Sequence, residues 1–234
     1  MSEVIVISAL RTEPEGFMKI EDIVGFWRDE QQTNARNQWV HRLDREWLEK
    51  GPHSFNLDHP VSPYVGDVIN APIIILGANA GYNSALTPSE FPDTTSTSNY
   101  IARVGNPSES DWSFVSRYYD RTNYGHLVAT GQAVVVNACA YRSPKLSEEP
   151  DNRAMIRRLP SAVFARRWLL EAVLPMAANG ERLIVVKRGR QWKLPPAFAA
   201  NPGVTADPAP VSPQITRAPF ARIASFLACQ KASN

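Results

Sequence analysis

One stretch limits the choice of fold more than any other: Pro72-Ile73-Ile74-Ile75-Leu76-Gly77-Ala78-Asn79-Ala80-Gly81-Tyr82-Asn83. Ile73 to Leu76 carry no polar interruption, as a strand buried on both faces of a parallel sheet requires. Gly77, Ala78, Ala80 and Gly81 then leave the backbone nearly bare, which suits a sharp turn or the close approach of a ligand. Asn79 is the one hydrogen-bonding side chain between the two glycines. Ligands of open α/β sheets gather just outside the carboxyl ends of the strands. The strand is therefore expected to end at Leu76, with Asn79 in the turn that follows. A tight βα turn with Asn in the left-handed conformation explains the segment equally well.

Three more apolar runs read as strands. Ala133-Val-Val-Val-Asn137-Ala-Cys-Ala is expected to end near Asn137, before Tyr141-Arg142-Ser143-Pro144. Arg182-Leu-Ile-Val-Val-Lys187 is the third, and Val204-Thr-Ala is a short fourth. Helical spacing recurs over 21–50, over 111–121 with Ser110 or Asp111 as cap, and over 217–229. It is strongest from Ser161 to Asn179, where Ser161 is a plausible N-cap and Pro175 should kink the last turn. Val4–Ile7 could form a short strand. Residues 51–71, with Pro52, Pro60, Pro63 and Gly66, read as an extended arm. Residues 82–100 lack a clear period and read as a long binding loop or lid. Strands alternating with helices argue for a three-layer α/β/α sandwich around a central, mainly parallel, four-stranded sheet. Residues 1–62 would be helical and extended decoration packed on an α/β domain at 63–234.

The composition excludes several classes. With 44% hydrophobic and 21% charged residues, the 234-residue chain is ordinary for a globular protein. Its longest apolar runs cannot span a bilayer. Its start lacks a basic leader and a long apolar segment, so no signal peptide is expected and a cytoplasmic location fits. Two cysteines, Cys139 and Cys229, make no disulfide framework and cannot hold an iron–sulfur cluster. The four histidines show no metal-ligand spacing, so neither metal nor cofactor is expected. No phosphate-cradling glycine motif and no nucleophile elbow is present. Net charge is only +2, but 142–193 carry twelve Lys or Arg against five Asp or Glu. Such a stripe is either a footprint for a polyanion or a solvated helical face. Nothing marks an oligomeric state.

The order of these pieces resembles the uracil-DNA glycosylase superfamily over roughly residues 63–228. Gly77-Ala78-Asn79-Ala80-Gly81 is similar to the G-x-N-P-G segment of the mismatch-specific and single-strand-selective branches, with Ala80 in place of Pro. Val134-Val135-Val136-Asn137-Ala138 resembles the strand whose terminal Asn reads the pyrimidine edge. Asp207-Pro208-Ala209-Pro210 lies where the family carries H-P-S-P or a variant. Phe91 lies where the mismatch-specific branch places the aromatic that stacks on the extruded base.

The resemblance implies a hydrolase that cleaves the N-glycosidic bond of uracil or a related damaged base in single- or double-stranded DNA. Asn79 and Asp207 then fall on catalytic positions. Gly77, Ala78, Tyr82, Phe91 and Asn137 fall on the base pocket. Arg142, Lys145, Arg188, Arg190 and Ser212 are the candidate DNA contacts. The chemistry agrees: an extruded base needs its face stacked and its edge bonded, and an amide offers both donor and acceptor. The departing base is anionic, so an ionised Asp207 would repel it. Asp207 is therefore expected to be neutral, or to cap the turn that follows it. The alternative implied by the same pocket is a catalytically weak relative that binds a nucleotide, nucleic acid or other small ligand.

Overall fold

The computed structural model describes residues 17–33, 36–105, 117–210 and 212–233. The expected strand at Val4–Ile7 and the proposed cap at Ser110 or Asp111 lie outside them. Seven strands occur among the described residues: β1 Gln31–Thr33, β2 Trp39–His41, β3 Tyr64–Val65, β4 Ile73–Gly81, β5 Ala133–Ser143, β6 Leu183–Val186 and β7 Val204–Ala206. β1 and β2 form a separate antiparallel hairpin. The central sheet has the order β3-β5-β4-β6-β7. β5, β4, β6 and β7 run parallel, while β3 is antiparallel to β5.

The sheet thus has five strands, not four. The extra one is two residues long and sits in a Pro- and Gly-rich arm with no alternation to announce it. It exists because Pro63, Tyr64 and Val65 align against β5, a tertiary event. Among the parallel strands, the first in the chain lies between the second and the third. The winding direction therefore reverses at the β4/β6 boundary, and the crevice above it is where α/β sheets hold ligands.

Both faces of the sheet are covered, which is why these strands read as unbroken apolar runs. Ile74, Leu76, Val134, Val136 and Ile184 pack with Trp168, Leu169 and Val173 on one side. Ile23, Trp27, Leu48 and Phe55 belong to that same core, so described residues before 63 help build it. Ile73, Ile75, Val135, Leu183 and Val185 pack with Tyr100, Leu127, Val128 and Ile223 on the other side. Each such side chain contributes ~1.5–3 kcal/mol by leaving water.

Three helical expectations change. Segment 21–50 is a helix at Asp22–Glu30, then the β1/β2 hairpin, then a second helix at Arg45–Lys50. Segment 82–100 is not a structureless loop: it holds short helices at Thr87–Glu90 and Thr94–Arg103. Asp93 starts the second by accepting from Ser96 N at 2.7 Å, a local cap that needs no apolar period. Ser161 is not an N-cap: the helix Pro160–Trp168 begins at Pro160, and Ser161 lies inside its first turn. Ahead of Pro175 the helix widens into a π-helical turn, Leu169–Val173, before Leu174–Ala178. A proline removes one backbone donor and crowds the carbonyl four residues back, and a wider turn relieves that crowding. Among the described residues no helix is long and apolar enough to cross a membrane.

Candidate functional site at the carboxyl end of the central strand

β4 does not stop at Leu76. Its pairing with β5 continues through Gly77↔Asn137 and Asn79↔Cys139 to Gly81↔Ser143, with a register shift between Asn79 and Gly81. Irregular pairing of this kind re-aims side chains at a strand end. Asn79 is half-buried there. Its Nδ2 donates to Ala80 O at 2.8 Å and Ser143 Oγ at 2.9 Å, with Tyr141 O at 3.4 Å. Two of these three oxygens are carbonyls, which only accept, so the amide nitrogen must face them. That fixes Oδ1 on the other side, as an acceptor without a donor among the described residues.

Asn137 has the opposite situation. It lies mid-strand rather than at a strand end, and is only 4% exposed. Its Nδ2 donates to Ser62 O at 2.8 Å, and its backbone N to Pro63 O at 2.8 Å. Its Oδ1 lies over Gly77, where a Cβ would come within 2.3 Å. Gly77 is thus required by the neighbouring amide, not by a turn. Asn137 lines a crevice, with Ile23, Trp27, Pro63 and Ser161, that is too tight for water. The two carboxamides are close in register but do not face a common hollow.

An aromatic ridge stands beside Asn79. His59 stacks on Phe91, with centroids 5.4 Å apart, and lies 6.2 Å from the Tyr82 ring at a similar tilt. Phe91 meets Tyr100 edge-on. The Arg142 guanidinium lies over the Phe91 ring at 5.1 Å and near that of Tyr100 at 5.7 Å. Phe91, only 9% exposed, is therefore already stacked, and His59 occupies the place expected for a base. Burial, and then the charge of Arg142, pull the His59 imidazole below its ordinary value, so it is neutral at pH 7. Sequence reading missed His59, because a lone histidine in a Pro-rich arm has no partner at fixed spacing.

Arg142 is not available to a phosphate. It is 6% exposed, and donates from Nε to Pro60 O at 3.0 Å and from Nη1 to Gly81 O at 3.2 Å. It clamps the arm to the end of β4. The basic stripe weakens accordingly: Arg142, Arg182 and Lys187 are all buried, and each donates to backbone carbonyls.

Asp207 is not neutral. Lys187 Nζ donates to its Oδ2 at 2.6 Å, and both side chains are almost fully buried. Burial pushes its carboxyl up, but the bonds from Lys187, Ala209 N and Thr216 outweigh this and hold it below the ordinary carboxylate value. The capping role holds: Ala209 N donates to Oδ1 at 3.0 Å and Thr216 Oγ1 to the same oxygen at 3.0 Å. Asp207 thus anchors the loop after β7. Lys187, its counter-charge, was legible only as the last residue of an apolar run.

The other candidates are scattered around this end of the sheet. Ala78 and Tyr82 are half-buried beside Asn79. Gly77 O accepts from the buried Trp192 Nε1 at 2.7 Å. Ser212 Oγ accepts from Gln214 N at 3.0 Å, within the loop that Asp207 anchors. Lys145 is exposed and lies 3.4 Å from Glu148. Arg188 is half-buried at the end of β6, and Arg190 is exposed. Among the described residues no three His, Cys, Asp or Glu are grouped to hold a metal ion. No protein-family model, curated protein or solved structure matches the chain.

Proposed function

We propose that the protein is a DNA glycosylase-type hydrolase in which Asn79 holds the attacking water at the carboxyl end of β4. The observation that carries this reading is the Asn79 amide: its nitrogen is tied to Ala80 O and Ser143 Oγ, and its oxygen is left to accept. An amide cannot take the water's proton, so the catalyst is slow and works by positioning. The two covered faces fit a three-layer α/β/α sandwich, which supports a ligand at the strand ends. Lys145, exposed and only loosely paired with Glu148, can reach a DNA phosphate. The test is release of abasic sites from single- and double-stranded DNA carrying uracil. Weak release is expected, falling on the order of 10²-fold in Asn79→Ala. Wild-type protein that yields no abasic product on either strand form overturns the reading.

A second reading has its own support. Asn137 is sealed and Phe91 is already stacked by His59, so the groups expected to read and stack a base are spent inside the fold. This favours a relative that binds nucleic acid without cleaving it. Retention of DNA at low salt, lost steeply as salt rises, together with absence of abasic product, distinguishes it.

A further inference from the structure

A second cavity opens beside β6 and β7, and Asn79 is not among the residues that line it. It measures about 390 Å3 and is floored by Val186, Val204, Leu194 and Phe198, with Arg190 and Lys193 among its lining. That volume lies in the range of small-ligand sites, roughly 300–1,000 Å3. No acidic residue lines it. Asp207, the residue that follows β7, is paired with Lys187. Arg190 and Lys193 are exposed and have no acidic partner among the described residues. Lys193 also sits in the left-handed region, with φ +50°, where glycine is at home and a lysine is strained.

We propose that this cavity binds a nucleoside monophosphate, with the base on the apolar floor and the phosphate between Arg190 and Lys193. A phosphate monoester carries about −1.5 to −2 charge at neutral pH and so balances two cations, whereas a carboxylate balances one. Arginine adds a planar fork suited to phosphate, and lysine a point charge. The same chemistry is offered by a free nucleotide and by the phosphorylated end of a DNA strand. The site does not include Asn79 and does not rest on the glycosylase reading.

Calorimetric titration of the full chain with adenosine and uridine 5′-monophosphates tests the proposal. Adenosine alone and inorganic phosphate alone should each bind roughly tenfold more weakly or worse. Arg190→Gln and Lys193→Gly should each weaken the monophosphates by roughly tenfold. Glycine fits the backbone at 193, so loss of binding in that variant does not come from misfolding. A 5′-phosphorylated oligonucleotide that binds more tightly than the monophosphates, through the same two residues, assigns the site to strand ends; equal or weaker binding assigns it to free nucleotides. No heat from the monophosphates at millimolar concentration overturns the proposal. So does binding that survives both substitutions.

Discussion

Two regions of this molecule hold polar groups close to the same pair of strands, and they treat them differently. Under the arm, Asn137 and Ser161 line a crevice closed to water, with Asp44 and Tyr141 next to them. Three donors there end on fixed acceptors: Asn137 Nδ2 on Ser62 O, and Tyr141 Oη and Ser161 N on the Asp44 carboxylate. At the end of β4, Asn79 is held by its nitrogen alone. The first region is built to be closed. The second keeps one acceptor in reserve, which is what a site for water or ligand needs. Identical side chains on adjacent strands therefore separate into a structural role and a candidate chemical one by their partners alone.

Four experiments can break or sharpen this contrast. The largest effect is expected from Gly77→Ala, whose Cβ would come within 2.3 Å of Asn137 Oδ1. Overpacking against a tethered amide should cost about 3 kcal/mol, read by urea denaturation. With Asn137→Ala added, the joint cost should fall short of the sum of the two by about 1 kcal/mol; strictly additive costs would show that the two residues do not press on each other.

Next comes the pH dependence of the closed region. Burial pushes the Asp44 carboxyl from 3.8 up to about 6, against the bonds from Ser161 and Tyr141 that pull it down. The folded state therefore holds the proton more tightly than the unfolded chain. Its contribution to stability is full below pH 3.8 and is lost as pH rises through about 6. The loss is up to ~3 kcal/mol. Asp207 has the opposite sign: its depressed carboxyl contributes above the ordinary value and loses that contribution on acidification. Asp44→Asn should flatten the step between these pH values, and an unchanged profile would remove Asp44 as its source.

Asn137→Ala alone should cost about 2 kcal/mol, since it leaves Ser62 O without its donor in a closed site. Base release should fall only with the folded fraction. A stable Asn137→Ala protein that has lost all release would instead put Asn137 back in the site. Smallest in stability is Asn79→Ala, at below ~1 kcal/mol for a half-buried amide. Its loss should appear in abasic-site release, and a large drop in denaturation midpoint would make Asn79 a structural residue like its neighbour.

The parallel strands and the helices at 160–178 and 217–233 were legible because long apolar runs and helical spacing are local properties. β3 was not, because two residues in a Pro-rich arm become a strand only through β5. The end of β4 was misread for a similar reason. Gly77 to Gly81 look like a turn by composition, yet β5 supplies partners that keep them paired. Asn79 was readable as the lone polar group in a bare segment. Asp44 and His59 were not readable, since their partners Ser161 and Phe91 stand far away in the chain. Asp207 was half-read: the turn it caps is local, but the Lys187 charge that keeps it ionised is brought in by β6.

The arm before residue 63 does more than ornament the domain. Asn56 N, Ser62 N and Asn137 N exchange backbone bonds across it with Arg142, Ala140 and Pro63. It lies along the outer side of β5 as a strip of surrogate sheet. A chain trimmed to begin at residue 63 would bare that rim, with its idle amides and carbonyls ready to template another copy. Such a fragment should clump rather than fold alone, so an apparent linker is in truth a guard against self-association.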